Sequence, residues 1–155
     1  MTLAEIQAAL LADDVVSLTI WAEARSEPIE GQIAVGCVIR NRLPRYGGDY
    51  KAVCFAPKQF SCWNDTDDIN HVQLLDYAQR FLTGHGVHAT GGDLALRQCQ
   101  WVAEGVTRHL LKDNTGGANH YYSPSGMVPK GRVPSWAKGK GPTAVIGRHR
   151  FYRLP

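Results

Sequence analysis

The chain has 155 residues, 44% hydrophobic and 20% charged, an ordinary globular make-up with enough length to bury one sizeable core, which excludes a fibrous or disordered chain. No apolar run approaches the ~20 residues needed to cross a bilayer, so no membrane span is expected and residues 1–155 are read as a single domain. The formal net charge of +3 hides an asymmetry: residues 1–111 carry 9 Lys and Arg against 13 Asp and Glu, a balance of −4, whereas residues 112–155 carry 8 against Asp113 alone, a balance of +7.

Thr2 to Leu11 reads as a short helix, and Asp13 or Asp14 is a suitable N-cap for the next, which runs to about Arg25. At 100° per residue Glu23 falls on the face of Val16, Thr19 and Ile20, while Val15, Leu18 and Ala22 cover most of the rest. A helix apolar nearly all round is a buried one. Ser26-Glu27-Pro28 breaks it, because proline is tolerated at a helix start, and a third helix is expected from Pro28 to Arg42. Gly31 and Gly36 each cost that helix about 1 kcal/mol relative to Ala, so close approach of another backbone is expected there. This third helix is expected to be the central one.

Leu43 to Gly48 is a loop, Asp49 to Phe55 one or two helical turns, and Ala56 to Asn64 an irregular, aromatic-rich stretch suited to a substrate wall. Asp68 to Leu82 is amphipathic, with Val72, Leu75, Ala78 and Leu82 inward. Thr83-Gly84-His85-Gly86 ends it. A last helix is expected from Asp93 to Leu111, with Ala95, Cys99, Val102, Ala103, Val106 and Leu110 inward. From Lys112 the character changes, with 7 Gly and 5 Pro in 44 residues and two strand-like runs, Asn119 to Ser123 and Ala144 to Tyr152. Tyr121 and Tyr122 on a strand point to opposite sides. The fold class expected is mostly helical α+β with a small C-terminal β-hairpin or sheet.

The chemistry centres on Glu23. A carboxyl among apolar side chains favours its protonated form, as a general acid requires, and Glu27 at i+4 adds a like charge. On pattern alone a structural carboxylate, paired with an arginine or capping amides, is the commoner occupant of such a position. The four cysteines, Cys37, Cys54, Cys62 and Cys99, lack CxxC pairs and zinc spacings and read as buried thiols, with a Cys54–Cys62 bridge left open. The six histidines, His71, His85, His88, His109, His120 and His149, form no HExxH, so no metal and no cofactor is expected. A cysteine amidase built from Cys54 or Cys62 with His120 is a further alternative. The basic tail suits an anionic polymer, either nucleic acid or cell wall. Arg148 to Arg153 is a faint version of a strand that stacks bases. A non-catalytic binding module would use such a tail without Glu23.

Five ordered blocks resemble the SleB-type cell wall hydrolases, a family that includes spore cortex-lytic enzymes and related phage endolysins. They are Trp21 to Pro28 with Glu30-Gly31-Gln32, Val38 to Arg42, Gln59-Phe60-Ser61, Thr115 to Tyr122, and Ile146 to Tyr152. The resemblance covers Leu18 to Tyr152 and implies a lysozyme-like fold acting on bacterial peptidoglycan at the β-1,4 bond between N-acetylmuramic acid and N-acetylglucosamine, not on nucleic acid. It makes Glu23 the catalytic acid and brings Gln59, Phe60, Ser61, His120, Tyr121 and Tyr122 to the substrate. Trp63, Asn119 and Trp136 are added on residue type and neighbourhood.

The same resemblance, to lytic transglycosylases, implies that one carboxyl suffices to form a 1,6-anhydro sugar. Hydrolysis would need a second carboxylate, roughly 5–5.5 Å away for retention or 6.5–9.5 Å for inversion, for which Asp65, Asp67 and Asp68 are the candidates. A monomer is expected. The N-terminus has no cationic region before Arg25 and no Sec-type apolar core, which leaves open a protein that stays in the cytoplasm, one that leaves by another route, or one whose export signal lies outside this sequence. With the resemblance, the expectation is synthesis in a bacterial cytoplasm and action in the periplasm or wall, as for an endolysin.

Overall fold

A computed structural model describes residues 1–64, 69–84 and 93–155. Helix α1 (Leu3–Ala9) begins with a capping box, in which the Thr2 hydroxyl accepts the Glu5 amide at 3.1 Å and the Glu5 carboxylate accepts the Thr2 amide at 2.7 Å. Helix α2 (Ala12–Ala24) buries residues on every side, from Val15 through Trp21 and again at Ala24. It packs against α3 (Ile29–Arg42), α4 (Tyr50–Phe55), α5 (Ile69–Leu82) and α6 (Leu94–Thr107). The central helix is therefore α2 and not α3: α3, although also buried from Ala34 through Ile39, turns its other side to strand β2 of the C-terminal sheet, whereas α2 is enclosed by helices.

Its start also differs from expectation. Leu11 is the capping residue and makes no side-chain cap, while Asp13 and Asp14 lie inside the first turn. There they still oppose the positive end of the helix dipole.

The expected proline break is present, with Pro28 as the cap of α3. Gly36 meets side chains and not a backbone: a Cβ there would lie 2.9 Å from Val106 Cγ2 and 3.3 Å from Ile20 Cδ1. It thereby sets how closely α3 approaches α6 and α2. Gly31 likewise faces a side chain, Glu27, at 3.0 Å.

On α5 the buried stripe is His71, Leu74, Tyr77 and Ala78, whereas Val72 is 52% exposed. The inward face is thus rotated from the expected one, because His71 and Tyr77 go in with their polar atoms satisfied. His71 Nδ1 meets the Cys62 carbonyl at 2.7 Å and the Tyr77 hydroxyl donates to Asp93 at 2.7 Å. Helix α6 stops at Thr107, short of Leu111. His109 adopts a positive φ of 57°, and Leu110 and Leu111 both donate to the Gly105 carbonyl. Leu111 folds back onto Gly105, where a Cβ would meet it at 2.6 Å, and Leu110 is left exposed.

Beyond Lys112 the chain forms three short antiparallel strands, β1 (His120–Tyr122), β2 (Ala144–Ile146) and β3 (His149–Tyr152), in the order β1-β3-β2. The run 144–152 is a hairpin, with Ile146 opposite His149 and Gly147 at φ +57° in the turn. One sheet face carries Tyr121, Phe151, Ala144 and Ile146 against Ala34 and Val38 of α3. The other carries Tyr122 and Tyr152 under Trp136 and Ala137. The mostly helical α+β class is what the chain adopts.

Candidate active site

Glu23 stands in the last turn of α2, where the helix emerges from the core. It is half-buried, between solvent and densely packed protein. Burial pushes its carboxyl above the ordinary glutamate range, and two neighbours oppose that rise: the Tyr121 hydroxyl, which donates to Oε2 at 3.1 Å, and the Arg42 guanidinium. Burial and the adjacent Glu23 in turn hold the Tyr121 phenol well above its usual range, so it remains a donor. Glu23 Oε1 accepts no hydrogen bond from the described residues. One oxygen is thus held while the other is left to an incoming group.

Arg42 gathers the predicted loops around this carboxyl. Its Nε donates to the Asn119 carbonyl at 2.8 Å, its Nη1 to Gln59 Oε1 at 3.2 Å, and its guanidinium lies 5.2 Å from the centre of the Phe60 ring. Gln59 and Ser61 are exposed, whereas Phe60 is buried and reaches the site through Arg42. The Asn119 side chain ties down Leu154, donating to its carbonyl at 2.8 Å and accepting its amide at 2.9 Å. His120 contacts Asn119 Oδ1 at 2.9 Å and Trp136 at 5.1 Å between ring centres. Burial and the nearby cations of Arg42, Arg45 and Lys140 lower the His120 pKa, so its ring is neutral at neutral pH.

Two expected wall residues are elsewhere. Trp63 is 3% exposed, with its Nε1 donating to Thr19 Oγ1 at 2.8 Å and Phe55 edge-on at 4.9 Å, so it belongs to the core and offers no face to a ligand. Tyr122, on the far side of the sheet from Tyr121, is packed under Trp136. The strand alternation thus resolves the tyrosine pair: Tyr121 meets Glu23 and Tyr122 does not.

Glu27 is not a modulator of Glu23 by contact. Its two carboxylate oxygens each accept the Arg148 amide at 3.3 Å, and Oε1 is 3.7 Å from His149 Nδ1. Burial lowers the His149 pKa, against the pull of Glu27. The neutral ring stands edge-on to Tyr121 at 4.9 Å, so the α2–α3 junction and the hairpin together fix the phenol that holds Glu23.

Two residues without a role assigned from sequence, Arg42 and His149, are therefore central to the geometry. Both lie inside the motif blocks, and that membership was the available signal. Their partners lie on other elements.

Asp65, Asp67, Asp68, His85 and His88 lie outside the described residues. Among the described residues no group of three or more His, Cys, Asp or Glu is placed to hold a metal ion. All four cysteines are free and buried. Burial pushes the Cys54 thiol up to about 12 and the Cys62 thiol well above its usual range, which suppresses the thiolate that a cysteine nucleophile needs.

Fold and site together define a helical α+β domain with a carboxyl raised by burial, hydrogen-bonded by a phenol and lying near a cation. The chain belongs to the cell wall hydrolase family, whose model matches residues 26–152. That match begins three residues after Glu23 and takes in Arg42, Gln59, Tyr121 and His149. A spore cortex-lytic enzyme of Halalkalibacterium halodurans is 26% identical over 134 residues, 85% of this chain. The chain spans 32% of that relative's length. No solved structure matches it significantly.

Proposed function

We propose that this domain cleaves the glycan strand of peptidoglycan at the β-1,4 bond between N-acetylmuramic acid and N-acetylglucosamine, with Glu23 as the catalytic group. The observation that carries the reading is the Glu23–Tyr121 contact: a carboxyl raised by burial, yet supplied with a donor and a cation that stabilise it once ionised. Family membership and the cortex-lytic relative supply the substrate class.

In the proposed reaction Glu23 gives its proton to the glycosidic oxygen as the C1–O bond breaks. The sugar passes through an oxocarbenium-like state, and the carboxylate left behind is stabilised by Tyr121 and Arg42. The muramic acid C6 hydroxyl then closes onto C1 and returns its proton to Glu23. The product is a 1,6-anhydro sugar, and no second carboxylate or water is consumed. Glu27 supplies no second carboxylate, because it is engaged by the hairpin turn.

Mass spectrometry of digested peptidoglycan tests the proposal. Anhydro-muropeptides are the expected product. Reducing muropeptides would replace the anhydro step by hydrolysis with a second carboxylate, and intact glycan with freed peptides would overturn glycan cleavage altogether.

A further inference from the structure

The basic third of the chain holds one acid, Asp113. Its carboxylate is already occupied, accepting from Asn41 Nδ2, the Thr115 amide and hydroxyl, and the Gly117 amide. The cations there are thus left without an acidic counterpart of their own.

Two of them, Arg148 and Arg150, line a cavity of about 300 Å³ with Pro124, Ser125, Val145 and Gly147. Neither is ion-paired among the described residues, where the ion pairs are Asp76–Arg80 and Glu104–Arg108.

The backbone that carries them is fixed. Arg150 is on the middle strand, opposite Tyr122 on one side and Val145 on the other. Arg148 is in the hairpin turn, its amide held by both oxygens of Glu27. Two guanidinium forks beside an exposed apolar floor, Val145, suit a planar oxyanion attached to a short aliphatic chain.

Resting on the reading above, we infer that this cavity is a second subsite of the same domain, for carboxylates of the peptides that peptidoglycan carries on its glycan. The hairpin joins the two places. His149 faces Tyr121 and, through it, Glu23, while its neighbours Arg148 and Arg150 line the cavity. A peptide of only four residues extends ~13 Å beyond the glycan that carries it. Phosphate groups of other wall polymers present the same oxyanion chemistry.

Binding is measured by co-sedimentation in the Glu23→Gln background, where nothing is cut, with and without Arg148→Gln plus Arg150→Gln. The probes are sacculi with intact peptides, sacculi freed of phosphate polymers, and peptide-free glycan. The arginine substitutions are expected to weaken binding to both peptide-bearing sacculi roughly tenfold, as loss of a charge-assisted contact implies. The deficit should vanish on peptide-free glycan, and Arg148→Lys plus Arg150→Lys should restore part of it. Circular dichroism confirms that each variant is folded.

An unchanged affinity for peptide-bearing sacculi overturns the subsite. A deficit that disappears when phosphate is removed overturns the peptide assignment. Failure of the wild type to cleave glycan refutes the catalytic reading and leaves the binding result standing on its own.

Discussion

Tyr121→Phe separates a phenol that holds the carboxyl proposed as the acid from one that merely packs. Phenylalanine keeps the ring that stands 4.9 Å from His149 and 5.7 Å from Phe151, and removes only the oxygen 3.1 Å from Glu23. That hydrogen bond favours the ionised carboxyl against the upward push of burial, so its loss raises the Glu23 pKa further.

A hydrogen bond to a charged group is worth about 1.5–3 kcal/mol, and one pH unit corresponds to about 1.36 kcal/mol. Because Glu23 is only half-buried, the lower end applies, and the alkaline limb of the kcat/KM profile should move up by about one pH unit. The plateau rate should fall as well, since the carboxylate formed after proton transfer has lost its donor. Initial rates of wall clearing between pH 4 and 10 measure both effects. A uniform fall in rate with an unmoved limb, or a limb that moves down, refutes the assignment of Glu23 as the acid held by Tyr121.

Glu23→Gln should abolish lysis and yet stabilise the fold at neutral pH. A carboxyl whose folded-state pKa is raised contributes stability that is fully present below its unfolded value and lost as pH rises through the folded value. The gain in Tm over wild type should therefore be larger at pH 8 than at pH 4, and an equal or lower Tm at pH 8 contradicts the burial argument. Asp113→Ala should have the opposite pH signature. Burial raises the Asp113 pKa, but its hydrogen bonds with Thr115, Asn41 and Gly117 outweigh that and hold it below the ordinary aspartate range. The loss, about 2–4 kcal/mol for several broken charge-assisted hydrogen bonds, should be full at pH 7 and shrink as pH falls through the Asp113 pKa, measured by urea unfolding at each pH.

The helices were legible where apolar period and stop signals coincide. The all-round apolar character of 12–24 and the proline at 28 predict α2, its end and the start of α3. The misses share one cause, because period alone does not tell which polar side chains find partners. On α5 His71 and Tyr77 are turned inward by the Cys62 carbonyl and the Asp93 carboxylate, both on other elements. At the end of α6 no local residue marks the stop at Thr107. It is set by Leu111 closing onto Gly105 and by Arg40 of α3, which donates to the carbonyls of Val106 and Leu111 at 3.1 and 3.0 Å.

The site shows the same division more sharply. Glu23 stands out locally as a carboxyl on an apolar helix, and the motif resemblance, not the helix pattern, singles it out as the acid. Arg40 and Arg42 are local twins, two cations in the last turn of one helix, and nothing nearby distinguishes their roles. Two residues of separation rotate them by about 200° around the helix. Arg40 therefore closes the end of α6, while Arg42 turns towards Asn119, Gln59 and Phe60 and places its charge near Glu23. Glu23 and Glu27 diverge for a related reason. The chain leaves α2 between them, so the i+4 spacing that would stack two carboxyls on a continuous helix instead sends Glu27 to the Arg148 amide. With that like charge drawn into the hairpin, the Glu23 pKa is governed by burial, one phenol and one cation, the balance that Tyr121→Phe is designed to tip.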